Sequence, residues 1–135
     1  MVRLETYADL AARVLAGPAR LGRCRLVAID GPSAAGKSRF ADRLAAAGDE
    51  RPPVVHTDDL LDGWQDQLTF WPRLERWVLA PLRAGRPGRY RRYDWHERRF
   101  GDEWTVVPPV PVILLEGVST ARAVLRPELT VSVFV

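Results

Sequence analysis

The sequence of 135 residues contains one cysteine, one lysine and no asparagine. Cys24 has no partner for an internal disulfide, and we expect it to be a small buried side chain. The absence of asparagine excludes the Asn-Lys-x-Asp motif with which GTPases recognise guanine. No apolar run approaches the length of a membrane span, and the N-terminus lacks a signal-peptide core. We therefore expect a cytoplasmic protein with no membrane partner.

Length and composition indicate one globular domain over residues 1–135. The hydrophobic fraction is 47%, and the chain is long enough to bury a substantial core. The formal net charge of +3 is small. A site for polyphosphate needs local positive charge in any case, so this charge does not by itself indicate a nucleic-acid partner.

The single lysine lies in the most informative stretch. An apolar run from Arg25 to Asp30 predicts a buried strand that leads into Gly-Pro-Ser-Ala-Ala-Gly-Lys-Ser at residues 31–38, which satisfies the pattern G-x-x-x-x-G-K-[ST]. In such a loop, backbone N–H groups surround the phosphates of a nucleotide, and the following helix points its positive end at them. Because the other basic residues are nineteen arginines, a lysine at the one position that requires it strengthens this interpretation.

The motif assigns roles to individual residues. Lys37 is expected to reach the β- and γ-phosphate oxygens and to act in catalysis, and the Ser38 hydroxyl is expected to bind Mg²⁺. Glycines permit backbone angles and close approaches that a side chain would block. We therefore predict ATP and Mg²⁺ as cofactors, with the nucleotide bound by Gly31, Ser33, Ala34, Ala35, Gly36, Lys37, Ser38 and Arg39.

Strands and helices alternate along the chain, which is typical of a parallel sheet covered by helices. An N-terminal helix over residues 5–16 is expected to precede a core over residues 24–135. The pattern therefore predicts a P-loop NTPase fold of the α/β class, with three layers, α/β/α. In the core we expect a helix to Ala47, a strand over Val54 to His56, a helix over Phe70 to Leu82, a strand over Val112 to Leu115, a short helix from Ser119 through Arg126, and a strand over Thr130 to Val135.

Two carboxylates follow predicted parallel strands and are therefore expected near the phosphates. Asp58 follows the second strand, where it can accept the proton of an acceptor hydroxyl or hold a metal-bound water, and we favour it over Asp59. The alternative is that either aspartate caps a helix. Glu116 ends the third strand, which suits a group that assists Mg²⁺, although an exposed strand-end carboxylate is the alternative. Asp30 is expected to brace the loop.

Four motifs together resemble the uridine kinase and phosphoribulokinase family of small-molecule kinases. They are Val-Ala-Ile-Asp-Gly-Pro-Ser-Ala-Ala-Gly-Lys-Ser, His-Thr-Asp-Asp-Leu-Leu, Tyr-Asp-Trp and Ile-Leu-Leu-Glu-Gly-Val, in this order over about residues 24–135. The resemblance implies a kinase of the nucleoside and nucleotide kinase type that phosphorylates an alcohol group. It also implies that Asp58 is the catalytic base and that Glu116, with Ser38 and Asp58, lies at the metal.

The same resemblance implies an acceptor pocket. Tyr93, of the Tyr-Asp-Trp motif, lies in that pocket in the family, and five residues later the pyrimidine-nucleoside kinases have a histidine that reads the base. This chain has Arg98 there, with His96 nearby. An arginine would suit an acidic or phosphorylated acceptor, and the sequence leaves the acceptor's identity open.

In the family, a lid that carries arginines and the contacts to adenine follow the fourth strand. The chain ends at Val135 within that predicted strand. We therefore expect a fold truncated at the C-terminus, and weak binding and slow transfer by these residues alone.

Two rival functions stay open. A P-loop ATPase would use the same loop without a small-molecule acceptor. Arginines are interleaved with aromatic residues from Arg89 to Phe100, which could stack bases. No nucleic-acid-binding motif is present, so we do not expect such a partner and interpret the stretch as a loop of the acceptor pocket with solvated arginines. Homo-oligomer formation also stays open.

Replacing Lys37 tests the nucleotide assignment. We expect Lys37→Ala to abolish ATP binding or turnover without unfolding the chain, because the ammonium group is the main side-chain charge on the phosphates. Calorimetric titration with Mg·ATP measures the affinity, and circular dichroism serves as the folding control. An unchanged affinity would contradict the assignment.

Overall fold

The structure is a computed structural model that describes residues 5–135. Within these residues, no helix has the length and apolar character that crossing a bilayer requires. In chain order the elements are α1 (Tyr7–Ala16), β1 (Arg25–Asp30), α2 (Lys37–Ala47), β2 (Val54–His56), α3 (residues 71–83), β3 (Gly88–Asp94), β4 (Arg99–Val107), β5 (Val112–Glu116) and β6 (Leu129–Phe134).

The main sheet has four parallel strands in the order β2-β5-β1-β6. Strands β1 and β2 are parallel, as expected for a unit of strand, helix and strand, but β5 lies between them. In the register of the sheet, Glu116 at the end of β5 is paired with Ile29 on one side and with His56 on the other. The carboxyl ends of β1, β2 and β5 therefore meet at one edge.

Helices cover both faces of the sheet, which confirms the predicted three-layer architecture. Successive strand residues point to opposite faces, so a strand buried on both faces is almost continuously apolar. One core cluster joins β1 and β5 to α1 and α2, and the other joins the same strands to α3 and to β3. On the first face lie Val27, Ile29, Leu114, Leu10, Val14, Ala41 and Leu44, and on the second lie Leu26, Ala28, Ile113, Leu115, Leu74, Val78, Leu82 and Tyr90.

Helix α3 changes its winding halfway along. Its ends, Trp71–Leu74 and Ala80–Arg83, are α-helical, and Glu75–Leu79 between them forms a π-helical turn. Pro81 has no N–H to donate, and its ring would crowd the carbonyl of Trp77 four residues earlier. A wider turn before the proline relieves that contact and keeps the helix continuous.

Two sequence expectations differ from the structure. Residues 119–126 do not form the expected helix but a series of turns, because Ser119 has a φ of +62° and Asp30 accepts the backbone N–H groups of Ser119 and Ala121. The basic aromatic stretch, which we expected to be a loop, forms the antiparallel hairpin of β3 and β4. Tyr90 and Tyr93 are both buried although two arginines separate them, because the register of the hairpin shifts between Arg91 and Tyr93.

The face covered by α3 gives a test of core packing. Leu74 is fully buried, so Leu74→Ala is expected to lower the free energy of unfolding by about 2–5 kcal/mol through lost contacts and a cavity. Urea denaturation measures the change. Leu68→Ala is the matched control, because Leu68 is 90% exposed and its loss is expected to cost less than about 0.5 kcal/mol. Equal losses in the two variants would contradict this packing.

Candidate active site

The loop between β1 and α2 has the backbone geometry of a phosphate-binding loop. Gly31 has a φ of +148° and Gly36 a φ of +94°, which are left-handed conformations that favour glycine. A Cβ on Gly31 would also overlap the carbonyl oxygen of Val135. Between them, Ala34 has a φ of +61°. These angles turn the chain tightly enough for successive N–H groups to line one concave surface.

Helix α2 begins at this loop with its first N–H groups free of side-chain acceptors. Gly36 caps the helix without a side-chain hydrogen bond, and the first turn contains no acidic residue. Lys37 is buried, and its Nζ donates a hydrogen bond to the carbonyl oxygen of Pro32 at 2.6 Å, so the ammonium group lies inside the loop. Ser38 and Arg39 are exposed beside it. An anion is the ligand that such a helix start favours.

Asp30 braces the loop, as the sequence led us to expect. Its carboxylate accepts the backbone N–H of Gly31 at 2.6 Å, of Ser119 at 2.8 Å and of Ala121 at 3.0 Å. One side chain thereby holds the start of the phosphate loop against the turns that follow β5.

Glu116 is a buried carboxylate, with 4% of the residue exposed, so the alternative of an exposed strand end is wrong. Its Oε1 accepts a hydrogen bond from the Ser38 hydroxyl at 2.6 Å, and its Oε2 lies 3.4 Å from Nδ1 of His56. Burial by itself raises the pKa of Glu116, but the hydrogen bonds from His56 and Ser38 outweigh it and hold the pKa below its usual value. Glu116 is therefore an anion at neutral pH.

His56 is the site neighbour that sequence reasoning missed. Its hydrogen bond to Glu116 raises the pKa of the imidazole, and burial opposes that shift only in part. The sequence shows a histidine at the end of a short strand, but its contact depends on β5 being the neighbour of β2. Without the strand order, no local signal identifies this pair.

The two aspartates after β2 face different surroundings. They lie in a 3₁₀ turn, Thr57–Leu60, which has no side-chain cap, so neither acts as the helix cap that was the alternative. Two effects raise the pKa of Asp58, namely desolvation of its carboxyl group and the negative charge of Glu116. The positive charge of Lys37 opposes this shift. The residue as a whole is nevertheless exposed. Asp59 instead lies 3.3 Å from Nε of Arg92 on the hairpin. Asp58 is thus the aspartate whose electrostatic neighbours are the phosphate loop and Glu116.

The donor groups at this edge fit Mg²⁺ bound together with a nucleotide. Ser38 and Glu116 are in direct contact, and Asp58 lies close enough for its pKa to respond to Glu116. In the part of the chain that the structure describes, no three His, Cys, Asp or Glu side chains are grouped to hold a metal by themselves. Magnesium usually takes one or two protein ligands and completes its shell with phosphate oxygens and water.

The residues predicted for the acceptor pocket are not all brought together. Tyr93 is buried on β3 and packs edge-on against Trp95 and Phe100, with ring centroids 4.8 and 5.3 Å apart. Its strand neighbour Arg92 pairs with Asp59, so this part of β3 lies beside the aspartate turn. Arg98 and His96 instead lie in the exposed turn of the hairpin. The structure therefore brings the strand that carries Tyr93 beside the aspartate turn, and it leaves Arg98 and His96 at the hairpin turn.

Arg73 of α3 holds the end of the aspartate turn by a hydrogen bond to the backbone of Leu60. One of its nitrogens, Nη1, donates to the carbonyl oxygen of Leu60 at 2.7 Å and to Asp66 at 2.6 Å. The guanidinium carbon lies 4.8 Å from the ring centroid of Phe100 on β4. One cation thus joins the turn, the helix and the hairpin.

A cavity of about 510 Å³ lies away from all of these residues. Its walls come from α1, α2 and the starts of β2 and β5, and include Pro52, Pro108 and Leu44. It is therefore at the amino edge of the sheet, opposite the phosphate loop.

Comparison with known proteins defines the class of fold. No family model and no curated protein matches the chain. Among solved structures it is similar to a possible uridine kinase from Bacillus stearothermophilus, with a TM-score of 0.71 and 19% identity over 95% of this chain and 78% of that one. It is also similar to a candidate fructose transport system kinase from Silicibacter sp. TM1040, with a TM-score of 0.71 and 23% identity over 97% of this chain and 74% of that one. The chain has the α/β fold of the P-loop kinases, which confirms at the level of fold the resemblance drawn from its motifs.

The anchor between Asp66 and Arg73 predicts a pH-dependent stability. Burial raises the pKa of Asp66, but hydrogen bonds from Thr69, from the backbone N–H of Asp62 and from Arg73 outweigh it and lower the pKa below its usual value. A carboxyl group with a depressed pKa stabilises the fold above its unfolded pKa of about 3.9, and this contribution is lost as the pH falls through the folded value.

We therefore expect Asp66→Asn to lower the free energy of unfolding at pH 7 by about 1.5–3 kcal/mol, the usual value of a charged hydrogen bond. The difference from the wild-type protein should shrink below about pH 4. Urea denaturation across this pH range measures it. A difference that stays constant down to pH 2.5 would show that the ionised carboxylate is not the cause.

Proposed function

We propose that this chain is a kinase domain that transfers the γ-phosphate of Mg·ATP to a hydroxyl group of a small-molecule acceptor, of the nucleoside-like or related kind. The observation that carries the proposal is the hydrogen bond between Ser38 and Glu116. It joins the phosphate loop to the end of β5, on the edge where the Asp58 turn also lies. This arrangement combines a phosphate cradle, a metal position and a carboxylate for the acceptor.

The nucleotide half of the site is the loop with the start of α2. Its backbone N–H groups and Lys37 would bind the phosphates, and Ser38 and Glu116 would hold Mg²⁺. When bound, the metal neutralises charge on the phosphates during transfer. His56 keeps Glu116 ionised and oriented, because it binds the second carboxylate oxygen.

The acceptor half is the Asp58 turn with the nearby part of β3. A hydroxyl beside Asp58 would give its proton to the Asp58 carboxylate as its oxygen bonds to the γ-phosphorus, while the bond from that phosphorus to the β-phosphate oxygen breaks and ADP leaves. We assign this role to Asp58 and not to Asp59, because the carboxylate of Asp59 is paired with Arg92. Tyr93 would form one wall of the acceptor pocket.

Transfer of labelled γ-phosphate tests the proposal. The acceptors are nucleosides, pantothenate, sugars, sugar phosphates and water, and the protein is assayed as this chain and as any longer natural form. Phosphorylation of one alcohol supports the kinase assignment. Release of phosphate to water alone, at a rate independent of every acceptor, would favour the rival ATPase, which uses the same loop.

The two neighbouring aspartates provide a matched pair. We expect Asp58→Asn to lower kcat by about 100- to 10,000-fold, the usual contribution of a general base. Asp59→Asn should have a much smaller effect, because it removes only an ion pair with an exposed arginine. Steady-state kinetics on both variants measures the difference. A larger loss in Asp59→Asn would reverse the assignment of the base.

A further inference from the structure

Arg122 is held on an aromatic surface in the turns that follow β5. Its guanidinium carbon lies 4.0 Å from the ring centroid of Trp71 and 5.7 Å from that of Phe70, at the start of α3. Such stacking fixes the plane of an arginine while its outer nitrogens stay free to donate hydrogen bonds.

A short chain of hydrogen bonds connects Arg122 to the phosphate loop. Its Nε donates to the carbonyl oxygen of Ser119 at 3.1 Å. The backbone N–H of Ser119 donates to Oδ1 of Asp30, the atom that also accepts the N–H of Gly31. Arg122 therefore lies on the carboxyl edge of the sheet, on the side covered by α3.

Within residues 5–135, Arg122 has no carboxylate at ion-pair distance, unlike Arg73 on the same side of the sheet, whose Nη1 lies 2.6 Å from Asp66. The nearby charge is that of Asp30, whose oxygens already accept three backbone N–H groups. Burial lowers the pKa of Arg122, which shows a cation partly removed from water. Desolvated guanidinium groups are favoured sites for carboxylate and phosphate, which they bind with two parallel hydrogen bonds.

We propose that Arg122 binds an oxyanion, a phosphate or a carboxylate, that the acceptor substrate carries apart from its reacting hydroxyl. This inference rests on the proposed function and narrows the acceptor to acidic or phosphorylated alcohols. The sequence suggested an arginine for such a group at Arg98, which lies in the exposed hairpin turn. Arg122, unlike Arg98, lies next to the loop that we propose binds the nucleotide phosphates.

Acceptors that differ only in the oxyanion test this proposal. D-ribose 5-phosphate is compared with D-ribose, and pantothenate with pantothenol, by calorimetric binding without nucleotide and by KM and kcat with Mg·ATP. We expect the wild-type chain to prefer the charged member of at least one pair. Arg122→Ala should weaken binding of that member, and raise its KM, by about 10- to 100-fold, the usual effect of losing hydrogen bonds to a charged group.

Arg126→Ala is the matched control. Arg126 also donates from Nε to a carbonyl oxygen of the same turns, that of Ala121 at 3.2 Å, but it is exposed, and no aromatic ring among residues 5–135 lies under its guanidinium group. We expect this variant to bind the charged acceptor as the wild-type chain does. Equal losses in the two variants would show that Arg122 only orders the turns, and would overturn the proposal.

The remaining outcomes separate this inference from the proposed function. An equal loss of kcat in Arg122→Ala for charged and neutral acceptors would place the arginine on the γ-phosphate, which overturns the acceptor role. Transfer to neutral alcohols with no preference for an oxyanion would support the kinase assignment and contradict the oxyanion site at Arg122. Binding of ribose 5-phosphate that depends on Arg122, without transfer to any acceptor, would support the oxyanion site and contradict the kinase assignment.

Discussion

The position of β5 between β1 and β2 is the constraint on which the candidate site depends. It places Glu116 in register with both Ile29 and His56, and so within reach of the Ser38 hydroxyl at the start of α2. A carboxylate at this depth is stable only when hydrogen bonds replace its lost hydration. Ser38 and His56 supply those bonds, and the same contacts join the phosphate loop and the end of β2 to the end of β5.

Three charged groups at this edge that cost free energy to bury, Asp30, Lys37 and Glu116, have hydrogen-bond partners. Lys37 donates to Pro32 inside the loop, and Asp30 accepts three backbone N–H groups. The two apolar clusters on either face of the sheet hold the strands that bring these groups together. The site is therefore built on rigid strand ends, and its charges lie in a geometry fixed by the core.

The hairpin shows how a basic aromatic stretch can serve the fold. The guanidinium groups of Arg89 and Arg91 lie 4.4 and 4.5 Å from the ring centroid of Trp104, which gives them cation–π contacts within the hairpin. Arg92 is paired with Asp59. These arginines therefore hold the two strands of the hairpin together and connect the hairpin to the aspartate turn. Composition alone does not distinguish this structural role from a surface that stacks nucleic-acid bases.

The sequence alone determined the local structure around the phosphate loop. Apolar periodicity and glycine positions predicted β1, α1, α2 and the phosphate loop nearly residue for residue, because each of these signals acts over a few residues. Only the tertiary structure decided the pairing of His56 with Glu116, the turns at residues 119–126 and the place of Arg122 on Trp71. These features depend on which distant segments become neighbours, and strand order and long-range hydrogen bonds leave no periodic trace in the sequence.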